Sequence, residues 1–162
     1  MIRLGTYNTR NVRNGVLESA LRGMYQANMD LGFFQETKVT KGIYIQEYSG
    51  YRVVASEAPI SHNGGVAMFY QAAEKLSVEA LRLYGENVAR FKLALGGRRW
   101  FIVGCYLAPD DALTIEDVFA SISQWTRGAA LLVVGDFNTN MAASEVRAWD
   151  EVIVSALSEE GL

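Results

Sequence analysis

The chain has 162 residues, 50% of them hydrophobic and 20% charged. That length and balance suit one domain with a sizeable core and exclude a disordered chain. Its 15 basic and 18 acidic residues leave a net charge of −3, which argues mildly against tight nonspecific nucleic-acid binding but leaves open a nuclease, whose metal site itself needs carboxylates. The one cysteine, Cys105, permits no internal disulfide and reads as a small core residue in the run WFIVGCYLAP. No stretch approaches the ~20 apolar residues of a membrane span, and MIRLGTYNTRN lacks the apolar core of a secretion signal. An intracellular location and no membrane partner are the expectation.

In chain order, residues 2–8 alternate and predict a strand. Residues 14–28 follow a helical period, with Leu17, Ala20, Leu21 and Met24 on one face. DLGFFQET, residues 30–37, is a short apolar run and predicts a buried strand. Residues 51–56 and 65–70 predict two more, separated by the turn-rich EAPISHNG. Strands are expected at 76–83 and 88–95. In the second, Arg90 and Lys92 alternate with Phe91 and Leu93, as in a sheet with one wet face. Gly96-Gly97 predicts a hairpin into residues 98–107. Residues 114–125 predict a helix with Thr114 as its N-cap. Residues 130–134 form an apolar strand leading into GDFN, and residues 144–159 predict a last helix capped by Ser144. No repeat or linker interrupts this mixed α/β chain, and its hairpins suggest a sheet-on-sheet core with helices outside.

Chemistry collects at strand ends, where a rigid scaffold meets an open tip. Glu36 follows a run of buried apolar residues. It suits Mg²⁺, a hard cation that prefers oxygen ligands, or else a strand-end ion pair with Lys38 or Lys41. Asp136 and Asn138 stand two apart on an extended segment and so point the same way, fit for water activation and phosphate contact, or for an Asx-turn. Gly135 before them allows a close backbone approach. Asn8 suits a phosphate or a metal-bound water, or a turn. Tyr106 suits phosphate donation, or the edge of a core. Gly64-Gly65 matches no nucleotide-binding loop and reads as a sharp start to a tightly packed strand. His62 reads as an exposed loop residue. Arg3, Arg10, Arg13, Lys38 and Lys41 cluster near the Asn8 and Glu36 segments, as a phosphate-binding group or as solvated charges.

Taken together and in order, GTYNTRN with Asn8, FFQETK with Glu36, HNGGVAMFY, VGCYLAPDD with Tyr106, and VVGDFNTN with Asp136 and Asn138 resemble the endonuclease/exonuclease/phosphatase superfamily. The style of these segments is most similar to the endonuclease domains of non-LTR retrotransposons, which precede a reverse transcriptase. The resemblance implies an α/β (α+β) fold, a four-layer α/β/β/α sandwich with its site at one rim between the sheets. It implies Mg²⁺-dependent cleavage of DNA, with Mn²⁺ as a substitute, a downstream reverse transcriptase in the full-length protein, and a nuclear location if the element is eukaryotic. Glu36 would coordinate the metal with Asn8 beside it, and Tyr106 would contact the scissile phosphate. Asp136 would orient or deprotonate the attacking water, and Asn138 would stabilise the developing charge.

Two departures stand out. Arg10 occupies a place where some members carry an acidic residue. The superfamily's late Asp-His pair has no counterpart, since no histidine follows His62 and the chain ends at SEEGL. The expectation is therefore a single domain over residues 1–162 that lacks its C-terminal part and cleaves poorly. Two other readings share these residues: a noncatalytic mobile-element remnant, and a phosphatase or phosphodiesterase of the same fold acting on a small phosphorylated substrate.

Overall fold

The chain runs β1 (Leu4–Asn8), α1 (Val16–Gln26), β2 (Leu31–Gln35), β3 (Ile43–Tyr48), β4 (Tyr51–Ala55), β5 (Val66–Gln71), β6 (Ser77–Tyr84), β7 (Val88–Leu95), β8 (Arg98–Tyr106), α2 (Ala112–Ile122) and β9 (Ala130–Asp136). This computed structural model describes residues 2–10, 16–58, 64–72, 76–108, 112–123 and 128–138. His62, Arg13 and the helix expected over 144–159 lie outside the described residues.

One sheet has the order β1-β2-β5-β4-β3 and the other β6-β7-β8-β9. Each is antiparallel except for one parallel pair, β1 with β2 and β8 with β9. The pleat sorts β2 between two cores. Leu31 and Phe33 pack between the sheets with Val66, Met68, Phe91 and Ile102. Phe34 points the other way, to Phe69, Tyr51 and the Leu17 and Leu21 face of α1. On the outside of the second sheet, Ile122 of α2 joins Tyr84, Val88, Val103 and Cys105. Helix, sheet, sheet and helix therefore stack as four layers, the expected architecture.

Glycines let the sheets approach. A Cβ on Gly104 would stand 2.1 Å from the Phe33 ring, so the bare backbone of β8 is the seat for that side chain. The Gly96-Gly97 turn has φ of 58° and 77°, the doubly positive pair of the tight hairpin expected there.

Three expectations need correction. β3 was not foreseen: its pattern is largely exposed, so IYIQEY shows no apolar alternation to read. The wet face expected on β7 is dry at Arg90, which is 4% exposed. There α2 covers the sheet, and the guanidinium donates to the Ser121 carbonyl at 2.6 Å between the rings of Tyr84 and Phe101. Thr114 is not an N-cap. It lies inside the first turn of α2, where its hydroxyl accepts a 3.2 Å hydrogen bond from the Asn87 amide.

Candidate active site

The two parallel pairs bring distant segments to one rim. Asn8 stands opposite Gln35 at the ends of β1 and β2, and Tyr106 stands opposite Asp136 at the ends of β8 and β9. Both ladders continue past the strands, through Thr9 N–H to the Gln35 carbonyl and Leu107 N–H to the Asp136 carbonyl, each at 2.9 Å. Because β9 and β2 stack across the sandwich, the four strand ends meet.

Local backbone then turns the side chains inward. Glu36 and Asn138 adopt φ of 51° and 45°, a left-handed conformation that non-glycine residues rarely hold unless their surroundings enforce it. Behind Glu36, the Gly64-Gly65 carbonyls accept from the Lys38 and Thr37 N–H groups at 3.1 and 3.2 Å. Gly65 has φ of +94°, and a Cβ there would lie 2.5 Å from the Thr37 hydroxyl. The glycine pair is thus a clamp on the backbone that carries Glu36. Gly135 is equally constrained, because a Cβ there would meet the Cys105 carbonyl oxygen at 1.9 Å.

Asn8 sits at the centre. Its amide nitrogen donates to Glu36 Oε1 at 2.6 Å and to Asp136 Oδ2 at 2.7 Å, while Arg10 N–H donates to Asn8 Oδ1 at 2.9 Å and fixes the amide's orientation. One neutral amide therefore draws together two carboxylates that are 100 residues apart in sequence. Asp136 is held from its other oxygen by Asn138 N–H at 3.1 Å, and the Asn138 amide donates to the Leu107 carbonyl at 2.9 Å. Tyr106 is buried beside them. Burial first, and then the negative charge of Glu36, push its phenol pKa above the ordinary tyrosine value, against an opposing hydrogen bond from Asn138. At neutral pH the phenol is an O–H donor, as it already would be at the ordinary tyrosine value. Cys105 beneath is fully buried and its thiol is pushed up to about 12, chiefly by desolvation, which suits the core role expected of it.

All five expected side chains, Asn8, Glu36, Tyr106, Asp136 and Asn138, thus share one rim. Of the basic residues, Arg10, Lys38 and Lys41 lie on the loops there. Arg3 does not: it precedes β1 at the far end, where its N–H donates to Asp30 at 2.8 Å. Asn87 was missed. Its carbonyl accepts from Tyr106 N–H at 2.9 Å, and its side chain accepts from Gly65 N–H at 2.9 Å and donates to Thr114. It ties the Tyr106 strand to the glycine clamp, but in sequence it is only one more turn residue of YGEN.

The donor set fits Mg²⁺. Two carboxylates converge, and that ion takes one or two of them while completing its shell with water and substrate phosphate. Among the described residues no group of three or more His, Cys, Asp or Glu could hold an ion, and Mg²⁺ at the rim would complete its shell with water and substrate oxygens. Asn8 presents its NH₂ to the carboxylates and its oxygen to Arg10, which makes it their bridge here.

No family model and no curated protein matches the sequence. Solved structures match its fold. The endonuclease domain of TRAS1, a telomere-specific non-LTR retrotransposon, superposes with a TM-score of 0.68 at 19% identity over 98% of this chain and 71% of that one. A mannosyl-6-phosphatase of Bacteroides thetaiotaomicron gives 0.63 at 12% identity, over 96% of this chain and 71% of that one. An endonuclease/exonuclease/phosphatase family protein of Leptotrichia buccalis gives 0.62 at 14%, over 95% and 72%. The chain has the endonuclease/exonuclease/phosphatase fold, and a retrotransposon endonuclease domain is among the structures it is similar to.

Proposed function

We propose that the rim hydrolyses phosphodiesters of nucleic acid in a Mg²⁺-dependent reaction, as the endonuclease domain of a retrotransposon-like protein. The observation that carries this reading is the Asn8 amide holding Glu36 and Asp136 at 2.6 and 2.7 Å. Glu36 would hold the ion, with Asn8 beside it. When bound, Mg²⁺ or Mn²⁺ supplies a positive charge that offsets the phosphate's own and polarises its oxygens. The chain's residues do the rest. Asp136, fixed by Asn138 N–H and Asn8, orients a water and accepts its proton. Tyr106 donates to a phosphate oxygen, and the Asn138 amide, which donates to the Leu107 carbonyl at rest, stabilises the developing charge. DNA is the proposed partner, and a reverse transcriptase on the same polypeptide is the proposed context.

The test is nicking of supercoiled plasmid with Mg²⁺, against EDTA, by the wild type and by Glu36→Ala and Asp136→Ala. The expected result is slow, metal-dependent nicking that falls by ~10²-fold or more in each variant. Nicking that survives both substitutions removes the reading. Parallel assays with a sugar phosphate separate it from a phosphatase, since the mannosyl-6-phosphatase shares this fold. Inactivity on every substrate favours the noncatalytic remnant.

A further inference from the structure

The loop that leaves Glu36 runs along the rim and enters β3 at Lys41, Gly42 and Ile43. There the sheet breaks its own rules. Pairing with β4 passes from Ile43 opposite Ala55 to Gln46 opposite Val53, so Tyr44 and Ile45 bulge out of register. Ile45, a β-branched residue, is held at φ 40°, and Tyr44 is 84% exposed. Only Ile43 of this trio packs onto the α1-side core. A strained bulge that lifts a tyrosine into water does nothing for the core, and strain of this kind collects at binding sites.

The register locates this ring. Ile43 stands opposite Ala55, Ala55 opposite Ala67, and Ala67 opposite Phe34. Tyr44 therefore lies three strands across the sheet from β2, roughly 14 Å at ~4.8 Å per strand. That is the span of about four nucleotides at the ~3.4 Å rise of a stacked strand, and of fewer where the strand is extended. Lys41 is exposed on the path between.

We infer that Lys41 and Tyr44 form a subsite for a single nucleic-acid strand flanking the phosphate at the Asn8–Glu36–Asp136 rim. Lys41 neutralises a backbone phosphate, and Tyr44 stacks on a base. Stacking asks for no particular base, because every base offers a π-face. A second copy of the chain adding to this edge strand is the competing occupant. The bulge breaks the ladder at its start, and the Glu47–Arg52 ion pair at 3.4 Å occupies its middle; both are features that discourage strand addition.

The inference rests on the phosphodiester reading, and the experiment separates the two. Anisotropy of a fluorescein-labelled twelve-nucleotide single strand is measured in EDTA with the wild type, Tyr44→Ala, Tyr44→Phe and Lys41→Ala. Hydrolysis of bis(p-nitrophenyl) phosphate, too short to reach Tyr44, is measured with Mg²⁺. The expected result is about tenfold weaker binding for Tyr44→Ala, near-normal binding for Tyr44→Phe, and a salt slope lower by about 1 for Lys41→Ala. Diester hydrolysis stays unchanged in both Tyr44 variants. Binding by Tyr44→Ala within twofold of wild type, or no binding by the wild type, overturns the subsite while leaving the rim's chemistry intact. So does a concentration-dependent dimer that Tyr44→Ala abolishes. Absence of metal-dependent diester hydrolysis in the wild type removes the parent reading instead.

Discussion

Asn8 is a side chain whose replacement should hurt in a graded way. Its NH₂ offers both protons to carboxylates, Glu36 at 2.6 Å and Asp136 at 2.7 Å. Asn8→Ala removes that bridge and leaves two like charges to water. Asn8→Asp removes it and adds a third negative charge at the same point. Like charges ~4 Å apart repel by ~1 kcal/mol even in bulk water, and by more in a half-buried site. Asn8→Asp is therefore expected to be less stable than Asn8→Ala by about 1 kcal/mol or more at pH 7, read from urea unfolding. Equal stability of the two variants would mean that the carboxylates do not face residue 8. These side chains were legible in the sequence because each ends an apolar strand and offers a polar group the core has no use for. Their meeting was not legible from local pattern. Glu36 and Asp136 come together only through the two parallel pairings, which are contacts between segments far apart in the chain. The order of the motifs, taken as a resemblance, supplied what the local pattern lacks.

At the scale of the element, α2 shows how a buried cation can look like a wet one. Residues 88–95 alternate charge and apolar side chain as an exposed sheet face does, yet the Arg90 face lies under a helix. That helix has no basic residue in its last turn. Arg90 reaches it from the sheet below and donates to the Ser121 carbonyl at 2.6 Å, offering positive charge where the helix end is negative. Desolvation lowers the guanidinium pKa, without bringing it near neutrality. Much of its value is packing, since its stem and planar head lie against Tyr84 and Phe101. Arg90→Met keeps most of that volume and no longer buries a charge. It is expected to stay within ~1 kcal/mol of wild type. Arg90→Ala leaves a cavity and is expected to lose roughly 2–5 kcal/mol in chemical denaturation. If the alanine variant is no worse than the methionine variant, the guanidinium is not a packing element. β3 was illegible for the converse reason. An edge strand that packs only one residue of its first three against the core leaves no period to detect.

Over the whole molecule, the rim is only as firm as the layers behind it, and Cys105, buried on the outer face of the second sheet with Ile122 of α2, reports on their opening. The thiol is 0% exposed, directly before Tyr106 and opposite Gly135. Its pKa is raised from 9.0 to about 12. A group whose neutral form is favoured by folding contributes stability that is complete below its unfolded pKa and is lost as pH rises through the folded one. This contribution is therefore intact up to about pH 9 and declines between there and about pH 12. Below pH 9, alkylation by iodoacetamide needs the protein to open, so its rate follows the population of open molecules when closing is fast. Gly104→Ala gives the comparison. Its Cβ would meet the Phe33 ring at 2.1 Å, and Phe33 is wedged against Phe91 between the sheets. Overpacking of this kind costs about 1–3 kcal/mol. Labelling of Cys105 at pH 8 is therefore expected to be slow in the wild type and roughly 5- to 150-fold faster in Gly104→Ala, by the same factor as the change in unfolding constant from urea melts. Tyr44→Ala, remote from this packing, should leave the rate unchanged. Labelling of the native wild type at the rate of a free thiol would show that α2 lifts locally from the outer face of β8. Tyr106 and Asp136, next along that pair of strands, would then rest on a layer that opens far below the cost of global unfolding.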